Sequence, residues 1–338
     1  MPLFHDYRRV HGQDGDIDLA REVLAARLAG CESYILLATG RADRHAQPLG
    51  FAQLCPMYSS VYCQLTLVLH ENHPHAIESR TAMNPASGFA RRFLPVWSIG
   101  LLGVASLLMQ EPPTALFESV PSLRELPAPV VRLMLLLNPL ILVTVMAAVG
   151  AAVAQRAGLR SVLAGSTGAR LGAPVAVVVG LVLALILMAI DAAVAERLGP
   201  GWSQARSQAD SSPWLPTMLL GVLYGGLAEE VIMRWGVMSL VVWCVLRLQR
   251  LPADSGRQPS IVSAWVGIVV AAAIFAIGHL PALAQSVALS GPIVARTVGL
   301  NLLAGLAYGW LFWRRSLESA MLAHATTHIG FALGRWLA

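Results

Sequence analysis

Long apolar stretches separated by short polar segments dominate the chain from Phe93 onward. A helix that crosses a bilayer needs about 20 mostly apolar residues. By this measure the pattern predicts crossing helices at 93–109, 129–154, 173–195, 214–248, 261–283, 292–313 and 317–336. The fourth stretch would make about 50 Å of helix, so it must tilt, extend into the cytoplasm or break near Trp235 and Gly236. We therefore predict an all-α fold, a polytopic transmembrane helical bundle with seven or eight spans.

Composition supports a membrane protein over a soluble one. Hydrophobic residues make up 56% of the chain and charged residues 13%, and the mean hydropathy is +0.62. The net charge of +5 comes from arginine alone, because the sequence contains no lysine. These arginines are scattered along the chain and form no phosphate-binding patch. The expected surroundings are therefore a lipid bilayer, and nucleic acid is not an expected partner.

Arginines in the connecting loops predict the orientation of the spans. Cytoplasmic loops carry an excess of Lys and Arg. The loop arginines that fall on one side of a seven-span arrangement are Arg91, Arg92, Arg156, Arg160, Arg170, Arg247, Arg250, Arg257, Arg314 and Arg315. Arg197 and Arg206 are the main exceptions. We expect a multi-pass protein of the bacterial inner (plasma) membrane whose first span starts on the cytoplasmic side.

The first 82 residues differ from the rest of the chain. They are more polar, and their short apolar run near 61–69 cannot span a membrane. No apolar signal-peptide region follows Met1. From Met83 the sequence has the form of a cytoplasmic start to a membrane protein. We predict a polar segment at 1–82, either appended or the product of a misassigned start, and a membrane domain at 83–338.

Two carboxylates and a guanidinium interrupt the fourth apolar stretch, at Glu229, Glu230 and Arg234. An ionised side chain at the centre of a bilayer costs a few kcal/mol, so such residues are read as functional by default. Residues four apart on a helix share a face, which pairs Glu230 with Arg234. Glu229 is rotated by about 100° from Glu230. The spacing therefore predicts a structural ion pair and one carboxylate, that of Glu229, available for chemistry.

Histidines lie in two of the later spans. Phe275 and His279 are one turn apart near the end of the fifth span, and His324 and His328 are one turn apart in the last. A lone histidine in a span is more often a packing residue, but two on one helical face favour a site. Glutamate can remove a proton from water, histidine can orient that water, and imidazole N–H groups can stabilise an oxyanion. This set indicates peptide hydrolysis by activated water, without a covalent intermediate.

These motifs resemble those of the CAAX protease and bacteriocin-processing family of intramembrane proteases. Glu229 to Arg234 matches EExxxR, Phe275 to His279 matches FxxxH, and His324 to His328 resembles the third motif, HxxxN. The resemblance covers roughly residues 210–330 and implies a catalytic core there. It implies that Glu229 is the base, that Glu230 and Arg234 support it, that His279 orients water and that His324 forms part of the oxyanion site. His328 departs from the usual asparagine.

Several alternatives stay open. The family resemblance implies a peptide or protein substrate, prenylated or bacteriocin-like, and does not choose between them. We expect no metal or cofactor, although a glutamate with two or three histidines could bind zinc. Ionisable side chains along a bundle also form proton or ion pathways, so a coupled transporter is the alternative function. A catalytically inactive membrane scaffold is the third possibility.

Overall fold

The computed structural model describes residues 34–39, 48–59, 64–72, 85–112, 117–118, 120–166, 168–249 and 258–337. The chain divides into two compact units, Met1–Asn84 and Pro85–Ala338. The expected start at Met83 and the loop arginines Arg250 and Arg257 lie outside the described residues.

The described part of the first unit is an antiparallel sheet in the order β1-β2-β3. Its strands are β1 Tyr34–Thr39, β2 Pro48–Ser59 and β3 Gln64–Asn72. β3 contains most of the apolar run that was judged too short to span a membrane. The register pairs Phe51 with Asn72 and Ser59 with Gln64. The all-α class therefore does not extend to this unit.

The described part of the second unit is helical, which confirms a helical bundle there. Its helices are α1 Pro85–Ala105, α2 Ala128–Val153, α3 Ala173–Val194, α4 Pro200–Ser211, α5 Trp214–Leu248, α6 Ile261–Gly278, α7 Leu280–Leu283, α8 Gly291–Arg314 and α9 Leu317–Leu337. Proline occupies the first turn of α2, α3, α4 and α8. The backbone N–H that proline lacks would have no intrahelical partner at that position. Short 3₁₀ turns follow α1 and α3 and precede α2.

Helix α5 lies at the centre of the bundle. Its middle consists of two wide π-helical stretches, Gly221–Glu229 and Val231–Met238. The first packs against α1 and α9, and the second packs against α2, α6 and α8. The helix continues through Trp235 and Gly236, so the break considered from the sequence does not occur. Wide turns are rare in helices and are frequently found at functional sites.

Five of the described helices are long and apolar enough to cross a membrane, and seven or eight spans are not confirmed. They are Gly88–Met109, Ala128–Val153, Ala173–Leu198, Trp214–Leu248 and Ile261–Leu283. Helices α8 and α9 have 24 and 21 residues, so length does not exclude them. Their polar residues lower their hydropathy, and several of these, including His324, Thr326 and Thr327, are buried inside the bundle.

Large apolar side chains on the bundle surface identify its lipid-facing helices. On α2 and α3, Leu133 is 61% exposed, Val178 is 59% exposed and Leu185 is 68% exposed. Exposed apolar surface of this extent is typical of a membrane or protein contact. Together with the five apolar helices, it supports an integral membrane protein.

Contacts bring the start of α1, the α2–α3 connection and the α8–α9 connection to one end of the bundle. Near the start of α1, Arg92 Nε donates to the carbonyl of Ala151, close to the end of α2, at 2.9 Å. Glu318 accepts hydrogen bonds from Ser161 Oγ at 2.6 Å, from the Val162 backbone N–H at 3.0 Å and from the Leu163 N–H at 3.1 Å. The Leu317 N–H donates to the carbonyl of Arg160 at 3.0 Å. We call this the arginine-rich end. The other end, here the opposite end, holds the ion pair of Arg132 and Glu111.

Candidate active site

The two adjacent carboxylates on α5 have different surroundings. Glu230 is fully buried, and its Oε1 lies 3.2 Å from Nη1 of Arg234, whose side chain is 1% exposed. Arg234 Nη2 also donates to the carbonyl of Gly305 on α8 at 3.3 Å. The Glu229 side chain is 21% exposed and lines a cavity. Glu230 thus belongs to the packed interior, while Glu229 can reach a molecule in the cavity.

Helix α9 brings His324 to both carboxylates. Its Nδ1 lies 2.8 Å from Glu230 Oε1, and its Nε2 lies 4.0 Å from Glu229 Oε2. Since a carboxylate only accepts, the proton of the first contact belongs to His324 Nδ1. A neutral His324 then carries a lone pair on Nε2, and this nitrogen can donate only when the ring is an imidazolium. Glu230 therefore fixes which side of the ring faces the cavity.

His279 is oriented by its own helix. Its Nδ1 lies 2.7 Å from the carbonyl oxygen of Phe275, one turn earlier, so Nδ1 carries the proton and donates to that oxygen. In the neutral ring, Nε2 is consequently an acceptor. His279 lines the same cavity as Glu229. The Phe275 ring contacts His279 edge to face, with centroids 4.6 Å apart, and contacts His324 in the same manner at 5.9 Å.

Aromatic rings support the buried charges from α8 and α6. Tyr308 stacks on His324 with ring centroids 4.4 Å apart. The guanidinium carbon of Arg234 lies 4.9 Å from the Phe275 centroid and 5.3 Å from that of Tyr308. A cation over an aromatic face is attracted by the ring quadrupole, and the attraction is stronger where water is excluded. These rings therefore help to hold Arg234, and through it Glu230, in place.

His328 stacks on His324, with centroids 5.2 Å apart, and its approach to α5 depends on two glycines. A Cβ added at Gly221 would overlap the His328 ring. At Gly225 an added Cβ would lie 2.9 Å from His328 Nε2 and 3.1 Å from His324 Nε2. Small residues spaced by four allow membrane helices to approach closely. Gly221 and Gly225 therefore create the space in which the two imidazoles meet the Glu229 segment.

A cavity of about 1070 Å³ connects this cluster with the opposite end of the bundle. Glu229, His279, His324 and His328 line one part of it, and Tyr224, Phe275 and Tyr308 surround them. Apolar side chains, among them Leu187, Leu220, Leu283, Leu300 and Phe331, line much of the rest. The size falls near the upper limit of ordinary ligand pockets. It is large enough for an extended peptide segment.

Among the described residues, no group of three or more His, Cys, Asp and Glu side chains has the arrangement of a metal site. His324 Nδ1 is directed at Glu230, which leaves one ring nitrogen of that residue for any other ligand. A zinc ion would draw on Glu229, His279 and the remaining nitrogen of His324.

The structure brings together every site residue predicted from the sequence. Glu229, Glu230 and Arg234 come from α5, Phe275 and His279 from the end of α6, and His324 and His328 from α9. Sequence reasoning missed Gly221, Gly225 and Tyr308. The two glycines carry a readable signal, the GxxxG spacing just before Glu229, whereas nothing in the local pattern distinguishes Tyr308 from a core aromatic residue.

Comparison with known proteins adds two matches. A curated relative, the uncharacterized N-acetyltransferase YhfO of Bacillus subtilis (strain 168), is 38% identical over 77 residues, which is 22% of this chain and 49% of that protein. The chain thus spans about half the length of this relative. No solved structure matches. The model of the Rce1-like family, described as type II CAAX prenyl endopeptidase Rce1-like, matches residues 211–330. The segment that carries the Glu229 cluster is therefore similar to the Rce1-like CAAX prenyl endopeptidases, a protease family.

Proposed function

We propose that this protein is an intramembrane endopeptidase in which Glu229 activates water to hydrolyse a peptide bond. The observation that supports the proposal most strongly is the difference in surroundings between the adjacent carboxylates. Glu230 is fully buried against Arg234 and His324, whereas Glu229 reaches the cavity. A general base must come within hydrogen-bonding reach of the proton that it removes. Glu229 meets this requirement for a water molecule in the cavity.

The hydrogen-bonding groups of the site can hold that water at two points, Glu229 and His279. Glu229 accepts a hydrogen bond from one O–H of the water, and the Nε2 lone pair of neutral His279 accepts a hydrogen bond from the other. The oxygen lone pair then faces a peptide carbonyl. Attack forms the C–O bond and moves the proton to Glu229. When the C–N bond breaks, Glu229 returns this proton to the leaving amine, so the base is regenerated.

The developing oxyanion requires N–H donors. His324 donates to Glu230 through Nδ1, so it reaches the oxyanion through Nε2 only as an imidazolium. His328, stacked beside it, can donate to the oxyanion while neutral, in the tautomer whose N–H faces the oxyanion. We therefore assign His328 as the donor to the oxyanion when both imidazoles are neutral. His324 becomes a donor to the oxyanion when its ring is protonated. A neutral asparagine amide at 328 would donate without regard to protonation.

No resident metal is part of the proposal. A chelator should leave activity intact if Glu229 alone activates the water. Complete loss of activity in chelator, with recovery on addition of zinc, would instead recast Glu229, His279 and His324 as ligands. Serine- and cysteine-directed reagents should not inhibit, because no nucleophilic side chain takes part.

The substrate class is a peptide or protein segment with apolar character, because apolar side chains line much of the cavity. The family match extends this to a prenylated peptide as the first candidate and an unmodified, bacteriocin-like peptide as the second. The bacterial inner membrane remains the predicted location.

The test compares the purified protein with Glu229→Gln on two fluorogenic peptides, one farnesylated near its carboxyl terminus and the other unmodified. Wild type should cleave at least one of them, and Glu229→Gln should not. His279→Ala and His324→Ala should each lose cleavage without unfolding the protein. Their effects should not add, since base, water and donor act as a unit. Full cleavage by Glu229→Gln would refute the proposal and make ion flux in proteoliposomes the next measurement.

A further inference from the structure

We propose that the arginine-rich end of the bundle holds a binding site for the headgroup of an anionic phospholipid. The site is built on the connection between α2 and α3, residues 154–172, against which three arginines lie, Arg91, Arg160 and Arg315. We call these three side chains, together with residues 165–172, the headgroup site. The proposal does not depend on the peptidase activity proposed above.

Two of the arginines lie against glycines in the middle of the connection. A Cβ placed on Gly165 would lie 3.4 Å from Arg91 Nη2, and one placed on Gly168 would lie 3.5 Å from Arg160 Nη1. Arg160 Nη1 also donates to the carbonyl of Gly168 at 3.4 Å. Arg91 belongs to α1 and Arg160 to the connection itself. Two segments that are distant in sequence thus place guanidinium groups on one loop.

The third arginine lies at the end of the connection. A Cβ placed on Gly172 would lie 2.9 Å from Arg315 Nη1 and 2.6 Å from its Cδ, so any larger residue would displace this side chain. Arg315 directly follows α8. The three glycines are three and four residues apart, which limits the distances between their Cα atoms to about 11 Å and 14 Å. Long arginine side chains at this spacing can reach the same headgroup.

Hydrogen bonds order the connection before any lipid binds. Gln155 Nε2 donates to the Ala164 carbonyl at 3.2 Å and to Ser166 Oγ at 3.1 Å. Ser166 Oγ in turn accepts a hydrogen bond from the Ser161 N–H at 3.0 Å. Glu318 of α9 fixes the same segment through the three hydrogen bonds described above. A site on a loop that is already ordered loses little conformational entropy when it binds a ligand.

Carboxylates do not match the positive charge of the headgroup site. Among the described residues, no carboxylate forms an ion pair with Arg91, Arg160 or Arg315. Glu318 lies at the same end, but its two oxygens accept hydrogen bonds from the connection. Arg170, exposed in the same segment, adds a further positive charge. Guanidinium groups match phosphate oxygens in geometry as well as in charge, so a phosphate-bearing anion is the ligand that this site favours.

The surroundings of the site favour a lipid over a soluble anion. Val162 and Leu171, on either side of the glycines, are exposed apolar side chains. The connection leads directly into α3, whose Val178 and Leu185 belong to the lipid-facing surface. The headgroup site therefore adjoins apolar surface at the end of a span, where the hydrocarbon core gives way to headgroups. Basic residues in this position attract anionic lipids.

Arg314 provides a matched control at the same end of the bundle. It is exposed, and it precedes Arg315 in the sequence. Its guanidinium carbon lies 4.7 Å from the ring centroid of the neighbouring Trp313, so its contact is with its own helix. Arg314→Gln removes the same charge as a change at Arg91 or Arg160 and leaves the headgroup site intact.

Native mass spectrometry of the full chain, purified in a neutral detergent, counts the lipids that stay bound. The probes are phosphatidylglycerol, whose headgroup is anionic, and phosphatidylcholine, whose choline cation cancels the phosphate charge. Wild type should bind phosphatidylglycerol at least tenfold more tightly than phosphatidylcholine, because more than one arginine contributes. This comparison uses wild type alone, so it does not depend on the folding of any variant.

The variants are Arg91→Gln and Arg160→Gln, singly and together. Each single change should weaken the binding of phosphatidylglycerol about fivefold, the effect expected for one basic residue near a membrane surface. The double change should bring the affinities for the two lipids close to each other. Arg314→Gln should change the affinity for phosphatidylglycerol less than twofold. Without added lipid, all the variants should melt at the wild-type temperature.

Three results would overturn the proposal. The first is equal binding of the two lipids by wild type. The second is a fivefold loss in Arg314→Gln, because the effect would then reflect the overall charge at that end of the bundle. The third is displacement of phosphatidylglycerol by an equimolar amount of inorganic phosphate, which would identify a soluble phosphate compound as the ligand. None of these measurements involves peptide cleavage, so they remain decisive if the proposed function fails.

Discussion

Replacement of Arg234 by alanine tests whether the buried charges of the cluster support one another. Arg234 is 1% exposed, and its removal leaves the fully buried Glu230 carboxylate with His324 as its remaining charged or hydrogen-bonding partner among the described residues. Breaking a buried pair by removing one partner costs about 3–5 kcal/mol, because the other charge is left uncompensated. Loss of the contacts with Phe275 and Tyr308 adds about 0.5–1 kcal/mol each.

The expected loss for Arg234→Ala is therefore about 4–7 kcal/mol. For a domain of this size, 1 kcal/mol corresponds to about 2–4 °C in melting temperature, so the shift should be about 8–28 °C. Thermal unfolding of the purified protein in detergent, followed by tryptophan fluorescence, gives this value. A matched control is Arg247→Ala, which is exposed near the carboxyl end of the same helix, where the change should stay below about 1 kcal/mol.

A second variant separates lost charge balance from lost packing. Glu230→Gln combined with Arg234→Ala removes the uncompensated carboxylate while keeping an acceptor for His324 Nδ1. This double variant should melt above Arg234→Ala. If Arg234→Ala melts within 2 °C of Arg247→Ala, the pairing contributes nothing to stability. If the double variant melts no higher than Arg234→Ala, the loss arises from packing around the guanidinium.

Four further outcomes follow from the geometry. Gly225→Ala should cut kcat without unfolding the protein, because its Cβ would displace the imidazoles of α9; retained activity would place the rings away from α5 during turnover. His328→Asn should keep cleavage, with a flatter pH–rate profile, since an amide donor does not titrate; abolished cleavage would contradict this. Glu318→Ala should cost about 1–3 kcal/mol in unfolding measurements, because one carboxylate accepts three hydrogen bonds, while exposed Glu196→Ala should be neutral. A chain beginning at Met83 should insert and keep the activity of the full chain; its degradation would make residues 1–82 part of the fold.

Apolar length along the chain was sufficient to predict the long apolar helices of the second unit, but not the polar helix α4. The stretches 214–248 and 261–283 have the bounds of two of the candidate spans, and 317–336 lies within α9. The number of spans could not be predicted from apolar length. Hydropathy averages over a whole helix, so it cannot separate polar residues that face a protein interior from those that would face lipid. The strands of the first unit were missed because a short apolar run fits a buried strand and a loop segment equally well.

Local spacing determined the parts of the site that lie on a single helix. Residues one turn apart share a face, so the sequence alone paired Glu230 with Arg234, Phe275 with His279, and His324 with His328. It also singled out Glu229 as the carboxylate left for chemistry, although not the cavity that it faces.

Contacts between helices were decided only by the tertiary structure. Glu230 and His324 are 94 residues apart, and Arg296 and Asp191 are 105 apart, so no local pattern links them. Which nitrogen of His324 faces the cavity depends on the Glu230 carboxylate, and the pairing of Arg296 with Asp191 depends on where α3 and α8 meet. Helical periodicity is a property of the backbone and is carried by any short segment. The approach of two helices depends on the packing of the whole bundle, to which residues such as Gly221 and Gly225 contribute through the side chains that they lack.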